Sequence, residues 1–338
     1  MINLDKNRLS QILDNVKGKR IAVIGDLMVD QYIWGTVNRI SPEAPVAVVD
    51  VEREQERLGG AANVARNIQS LGGEPFLIGV VGDDNTGKAL VRLVSECGFD
   101  TSGIVTDPSR PTTIKTRIIA HNQHVVRIDR ETRGEIAPEI EKKILGIMDA
   151  NIAKLDAIII EDYNKGVVIK SLIREIIARA EKHNRIVTVD PKFNNFFDYK
   201  NVTVFKPNRK EVEEALGLHI RTDEDVDRAA KEIMSRLHAK NVLLTRGENG
   251  MTLFDSDGGV FHAPTKAQNV ADVSGAGDTV IATLTLAMTG GASVREAATM
   301  ANYAGGIVCG YVGIVPINRQ ELASSILTDG AAPKGSQK

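Results

Sequence analysis

Between residues 135 and 290 short apolar runs and amphipathic stretches take turns, and this alternation constrains the fold more than any other feature of the chain. Ala157–Glu161, Ile186–Val189, Val202–Phe205 and Val242–Thr245 are too short for helices and rich in β-branched residues. Segments with helical spacing at 135–151, 167–183 and 223–238 separate them. Strands joined through helices pair in parallel, so the reading is an α/β fold with a mostly parallel, doubly wound sheet. Arg20–Gly25 and Pro75–Val80 supply two further strands, and 84–97 a further helix. Ligands of such sheets bind outside the carboxyl ends of the strands. The residues that follow each strand are therefore the first candidates for a site.

Asp26 follows the first strand, with Asp30 four residues later. Both are placed either to bond a polyol or to satisfy local turn N–H groups. No GxGxxG follows, which argues against a dinucleotide site. Lys165, Lys192, the run Asn208-Arg209-Lys210-Glu211, and Thr245 with Gly247 and Gly250 follow later strands. Together they suit a nucleotide: the lysines neutralise phosphate, and the glycines let the chain pass close to phosphate or ribose. Asn208 and Glu211 share a helix face and are candidates to hold magnesium, directly or through water. Asn302, in the small-residue helix 293–309, is a candidate for a base pocket as well as for core packing.

Two stretches break the rhythm, at about 32–58 and 111–130. Period-2 alternation in Ile114/Thr116/Ile118 and Val126/Ile128/Arg130 marks strands. The two stretches are expected to pair into a small sheet that projects from the body and covers a substrate as a lid. The apolar face of that sheet needs cover, which a second copy of the chain can supply. Lys115, Arg117, Arg127 and Asp129 lie on it.

Asp272-Val273-Ser274-Gly275-Ala276-Gly277-Asp278-Thr279 leads into an apolar run that ends near Met288. Small residues at a helix start aim several N–H groups at one point, and the helix dipole favours an anion there. Asp278 in the first turn is then placed to take a proton from an attacking hydroxyl. Gly59-Gly60-Ala61-Ala62-Asn63 starts another slim helix, with an Asn63 amide suited to a sugar hydroxyl.

Composition narrows the partners. With 42 basic and 44 acidic residues the net charge is −2, so no global field favours nucleic acid or anionic lipid. No apolar run of about 18 residues and no basic-then-apolar leader is present, which reads as an unexported, cytoplasmic protein. Cys97 and Cys309 are expected to be buried free thiols, and the six histidines have no metal-ligand spacing. Residues 1–330 read as one domain with the lid segments inserted, and 331–338 as a disordered tail.

These motifs resemble those of a known family. Gly59-Gly60-Ala61-Ala62-Asn63 with Leu71-Gly72, and Asp272-x-x-Gly275-Ala276-Gly277-Asp278, are similar to the two signatures of the ribokinase-like (PfkB) carbohydrate kinases. Asn208-x-x-Glu211 is similar to that family's magnesium-associated motif. The resemblance spans roughly 20–325. It implies Asp278 as catalytic base, Gly275, Ala276 and Gly277 as anion hole, and Asp26, Gly59, Gly60 and Asn63 on the sugar. It also implies ATP and Mg2+ as cofactors, leaves open a monovalent cation such as K+, and implies a β-sheet lid that often joins two subunits.

Gly25-Asp26-x-Met28-x-Asp30, Arg39-Ile40-Ser41-Pro42-Glu43-Ala44-Pro45-Val46, Arg127-Ile128-Asp129 and Glu161-Asp162-Tyr163-x-Lys165-Gly166 resemble the kinase part of the heptose enzymes. Those enzymes phosphorylate O1 of D-glycero-D-manno-heptose 7-phosphate on the way to lipopolysaccharide core. The lid cations fit a sugar that already bears a phosphate. No HxGH-type nucleotide motif of the adenylyltransferase part is present, so the expectation is the kinase alone. The rivals are a kinase for ribose, a hexose phosphate or a 2-keto-3-deoxy acid, and a non-catalytic sensor of sugar or nucleotide.

Overall fold

In the computed structural model, which describes residues 4–121, 123–267 and 270–331, the alternation folds into a nine-stranded sheet. Its strands are β1 (Arg20–Gly25), β4 (Glu74–Val81), β5 (Ile104–Thr106), β8 (Ala157–Glu161), β9 (Ile186–Asp190), β10 (Val204–Phe205), β11 (Asn241–Thr245), β12 (Met251–Asp255) and β13 (Val260–Ala263). They run in the order β13-β12-β11-β10-β9-β8-β1-β4-β5. Pairing is parallel from β5 to β11, and an antiparallel hairpin, β12 and β13, closes one edge. The sheet matches the fold read from the sequence, apart from that hairpin and the short β5.

Helices α4 (Pro138–Asn151), α5 (Lys170–Lys182), α6 (Arg209–Leu216) and α7 (Asp223–Leu237) cover one face. The other face carries α1 (Lys6–Asn15), α2 (Ala61–Leu71), α3 (Asn85–Glu96), α8 (Ala276–Thr289), α9 (Val294–Val308) and α10 (Arg319–Ala331). Strand alternation divides the core between them. In β8, Ala157 and Ile159 pack toward α8, whereas Ile158 and Ile160 pack toward α4 and α5. The same phase carried one residue further turns Glu161 toward α8. Helix α8 is buried from Asp278 through Ala287 and needs a slim neighbour. In α9, Ala297, Ala298, Ala301 and Ala304 provide it, and a Cβ on Gly305 would come within 2.9 Å of Val280.

A second sheet, in the order β3-β2-β6-β7, is built from β2 (Leu27–Ile40), β3 (Ala47–Gly60), β6 (Thr113–Ala120) and β7 (Gln123–Arg130). The two irregular stretches do pair, through parallel β2 and β6, and the strands reach back to Leu27 and on to Gly60. Register sorts the sheet into two faces. Asp30, Lys115 and Asp129 lie abreast on one, beside the row Tyr32, Arg117 and Arg127. Ile33, Ile118 and Val126 lie abreast on the other, beside Gln31, Thr116 and Ile128. This second face carries the apolar alternation seen in the sequence, and Val126 and Ile128 on it are exposed. The outer strands β3 and β7 are free edges of the sheet.

Some local expectations change. Helices expected from 135 and 167 start at Pro138, a residue suited to a first turn, and at Lys170. Cys97 and Cys309 are free but partly exposed rather than buried, because they cap the ends of α3 and α9 where the chain turns outward. Ala331 closes α10, and the rest of the expected tail lies outside the described residues. Among the described residues no helix is long and apolar enough to cross a membrane.

Candidate active site

Helix α8 begins at Gly275, whose φ of +78° favours glycine. The turn leaves first-turn amides of α8 without intrahelical acceptors and points the positive end of its dipole at the carboxyl edge of the sheet. Asp278 sits in that first turn and is 3% exposed. The Asn63 amide donates to its Oδ2 at 2.7 Å, and the Tyr163 hydroxyl donates to its Oδ1 at 2.7 Å. Burial pushes the Asp278 carboxyl up to about 6, while the bonds from Asn63 and Tyr163 pull against that rise. The geometry is that of a held, poised proton acceptor beside an anion pocket.

Three acids meet there. One carboxylate oxygen each from Glu161, Asp190 and Asp278 lie within 4.8 Å of one another, and all three residues are buried. Glu161 and Asp190 are paired residues at the ends of parallel β8 and β9, so both side chains leave the sheet on the α8 side. Lys206, which follows β10, donates to Asp190 Oδ2 at 2.7 Å. Lys192 donates to Glu211 and lies 5.5 Å from the centre of the Tyr163 ring. Both oxygens of Glu161 lack a hydrogen-bond partner among the described residues. The all-oxygen donor set fits magnesium, the ion that the motifs imply.

Asn208 and Glu211, the expected magnesium holders, form a capping box at the start of α6. Asn208 Oδ1 accepts from Glu211 N at 2.9 Å, and Glu211 Oε2 accepts from Asn208 N at 2.8 Å. Thr245 pairs through its backbone with Asn208, and Gly247 and Gly250 take positive φ in the turn after β11. Arg209 pairs with Glu213 at 3.2 Å, and Lys210 is exposed on the same helix. Asn302, a candidate for a base pocket or for core packing, is buried in α9, donates to the Pro264 carbonyl at 2.7 Å and pins the segment that follows β13.

On the lid side Asp26 departs from its expected place on a polyol. Its carboxylate accepts from the backbone N–H groups of Tyr163, Lys165 and Val167, at 2.8, 3.1 and 3.2 Å. Burial first, and Asp162 next, raise it to about 6. Its role is to shape the loop that presents Tyr163. Close approach at Gly59 and Gly60 is real: added Cβ atoms would lie 2.0 Å from Asp30 Oδ2 and 2.5 Å from the Asp26 carbonyl. Arg117 pairs with the buried Asp30. Lys115 bonds Asp129 at 3.0 Å and Glu131 at 3.3 Å, and Arg127 bonds Asp129 at 2.9 Å. Lys165, expected on a nucleotide phosphate, instead pairs with Glu131 at 2.8 Å and belongs to this lid-side group.

Sequence reasoning missed Glu161, Asp190, Tyr163, Lys206 and Glu131 as site residues. A signal for the first two exists in strand phase, since each is the last residue of a strand whose alternation points it toward α8. Glu131 lies just past β7, and only the folded lid brings it to Lys165.

The chain matches the pfkB family carbohydrate kinase model over residues 19–319. It is 44% identical to the bifunctional protein HldE of Geobacter sulfurreducens over 323 residues, which cover 96% of this chain and 66% of that protein. Identity to the bifunctional protein HldE of Helicobacter pylori is 42% over 305 residues, or 90% of this chain and 66% of the relative. The chain thus spans just under two thirds of the length of these relatives. Phosphofructokinase-2 of Escherichia coli in complex with potassium superposes with a TM-score of 0.75 at 20% identity, over 93% of this chain and 99% of that one. Arabidopsis thaliana ribokinase complexed with ribose and ATP gives 0.72 at 18%, over 92% and 99%. The fold is therefore ribokinase-like, and the chain belongs to the pfkB family of carbohydrate kinases.

Proposed function

We propose that the chain transfers the γ-phosphoryl group of ATP to O1 of D-glycero-D-manno-heptose 7-phosphate, giving the 1,7-bisphosphate used for ADP-heptose and lipopolysaccharide core. The observation that carries the choice of sugar is the polar face of the lid. Arg117 and Arg127 stand abreast on it with Lys115 in the neighbouring row, and Lys165 meets Lys115 through Glu131. Such a concentration of cations suits a sugar already carrying a phosphate better than a neutral one. The heptose-enzyme motifs and the 44% identity to bifunctional protein HldE support the same reading.

In this reading Asp278 accepts the proton of the O1 hydroxyl as that oxygen attacks phosphorus in line. Gly275, Ala276 and Gly277 turn their backbone donors toward the charge that develops, and Asn63 and Tyr163 keep the carboxylate in place. Bound Mg2+ would neutralise phosphoryl oxygens, with Glu161, Asp190 and Glu211 as the acids nearest to hand. The lid excludes water from the transfer. ATP as donor and two free thiols support a cytoplasmic setting. The sheet and its inserted lid act as one catalytic domain, and two copies join through the exposed apolar face of the lid.

The test is ADP release with ATP and Mg2+ against a panel containing heptose 7-phosphate, ribose, fructose 6-phosphate and a 2-keto-3-deoxy acid. Selective turnover of heptose 7-phosphate, with two phosphorus resonances in the product, is expected. Preference for another sugar would replace the heptose assignment, and folded protein inactive on all of them would favour a sensor.

A further inference from the structure

We propose that a cavity at the amino ends of β9, β10 and β11, at the opposite edge of the sheet from Asp278, binds a small phosphate ester that bears hydroxyl groups. The cavity has a volume of about 420 Å³, which is ample for a sugar phosphate. Ile186 and Val187 line it at the start of β9, and Asp190 at the end of the same strand belongs to the acid cluster of the active site. At about 3.3 Å per residue the strand separates the two places by roughly 13 Å. A ligand held here is distinct from the sugar and the nucleotide of the transfer reaction.

The first observation is a buried donor with no acceptor. Arg185 lines the cavity just ahead of β9, and its Nη2 donates to the Ala153 carbonyl at 2.9 Å. Its Nε is buried and has no hydrogen-bond partner among the described residues. A buried N–H left in that state is costly. An oxyanion that enters the cavity supplies the acceptor, and the planar guanidinium suits phosphate oxygens.

Charge is the second observation. Lys240 and the ionisable His238 line the same cavity, and Glu181 is the one carboxylate among the described lining residues. An opposing effect comes from α5 and α7, whose carboxyl-terminal ends lie here and carry the negative poles of their dipoles. Those poles are blunted. Arg185 N donates to the Ala180 carbonyl and Asn201 N to the Leu237 carbonyl, each at 2.9 Å, while Lys200 Nζ donates to the Arg236 carbonyl. Arg185, Lys240 and Lys200 thus set three full positive charges against Glu181 and two partial ones, and the balance favours an anion.

The rest of the lining narrows the class. Glu181, Asn184 and Asn201 offer carboxylate and amide groups that bond alcohols, whereas the buried Ile177 and Val187 offer apolar surface to a carbon skeleton. Bare phosphate would leave these groups unused.

The test reads Arg185 itself. In the full chain with ¹⁵N-labelled arginine, the Arg185 Nε–H resonance is assigned by its loss in Arg185→Gln. It is then followed during titration with ribose 5-phosphate and, separately, with inorganic phosphate. Ribose 5-phosphate should shift it saturably, with inorganic phosphate needing roughly tenfold more, and saturating ADP with Mg2+ should leave the response in place. Lys240→Gln changes an exposed side chain and should leave the melting temperature as it was. It should raise the half-saturation concentration roughly tenfold or more, the loss of one charged hydrogen bond. No saturable shift with either probe overturns the proposal. A response to inorganic phosphate equal to that for the ester shows an adventitious ion only and overturns it too. So does a response that Lys240→Gln leaves unchanged, which puts the ligand elsewhere, or one that ADP and Mg2+ abolish, which places its origin in the active site.

Discussion

The place of Asp278 in the first turn of a helix was legible because it is local in sequence: a glycine turn followed by an apolar run marks the helix start without any tertiary knowledge. Replacing Asp278 tests the base assignment directly. Asp278→Asn keeps the shape, accepting from the Asn63 amide through its oxygen and donating to the Tyr163 hydroxyl through its NH2, so ATP binding should hold while kcat falls about 10²- to 10⁴-fold, the usual contribution of a positioned base. Steady-state kinetics and nucleotide titration on the same preparation would check both halves, and retained turnover would remove Asp278 from the chemistry. Gly275 offers a second test. A side chain at its φ of +78° is strained by about 1–2 kcal/mol, and its Cβ would come to 3.0 Å from the Asn63 amide nitrogen that holds Asp278. Gly275→Ala should therefore lower the melting temperature and kcat together. Glu161 and Asp190 were not legible in the same way, because a single acid after a strand reads as a solvated turn. Asp26 misled for the opposite reason: its position is that of a ligand-facing residue, but three backbone donors 137 to 141 residues away claim it.

Elements were legible where periodicity is strong and blurred at their ends. The βα units from β8 to β11 stand almost where the pattern put them, whereas β12 and β13 hide in a mixed run around Gly250 and Gly258. One contact between elements gives a pH test. Arg8 of α1 binds Glu296 of α9 through two bonds, Nε to Oε1 at 2.7 Å and Nη2 to Oε2 at 2.9 Å. The bond from Arg8, with help from the Ser293 backbone, lowers the Glu296 carboxyl from 4.5 to about 2. A carboxyl depressed in the folded state adds stability above its unfolded value and loses it as pH falls through the folded one. Glu296→Gln should thus melt below the unsubstituted protein at pH 7, with the gap closing as pH drops from about 4.5 toward about 2. A gap that stays constant across that range would show the ion pair to be irrelevant.

At the scale of the whole molecule, the doubly wound body and the projecting lid both followed from the sequence, since each rests on a repeated pattern. The direction in which the lid faces did not. Which rows of β2, β6 and β7 turn inward is fixed by register across residues 28–130, and no local motif states that register. It sends the charges toward the body and leaves Val126 and Ile128 outward at 47% and 55% exposure. If the outer face joins two copies, Ile128→Asp should give a monomer in sedimentation velocity at concentrations where the unsubstituted chain is a dimer. A sedimentation profile unchanged by the substitution would place the contact elsewhere.

The free edge strand β3 bears on how such assembly ends. In its middle, Asp50, Glu52, Glu54 and Glu56 alternate with Val51, Arg53, Gln55 and Arg57, so between 50 and 57 every position but Val51 is polar or charged. Charged edges resist the strand-to-strand addition that grows fibrils. The lid therefore separates two kinds of stickiness, an apolar face that one twin can cover and a border that repels further recruits. Addition of a further strand is disfavoured along that charged stretch of the border.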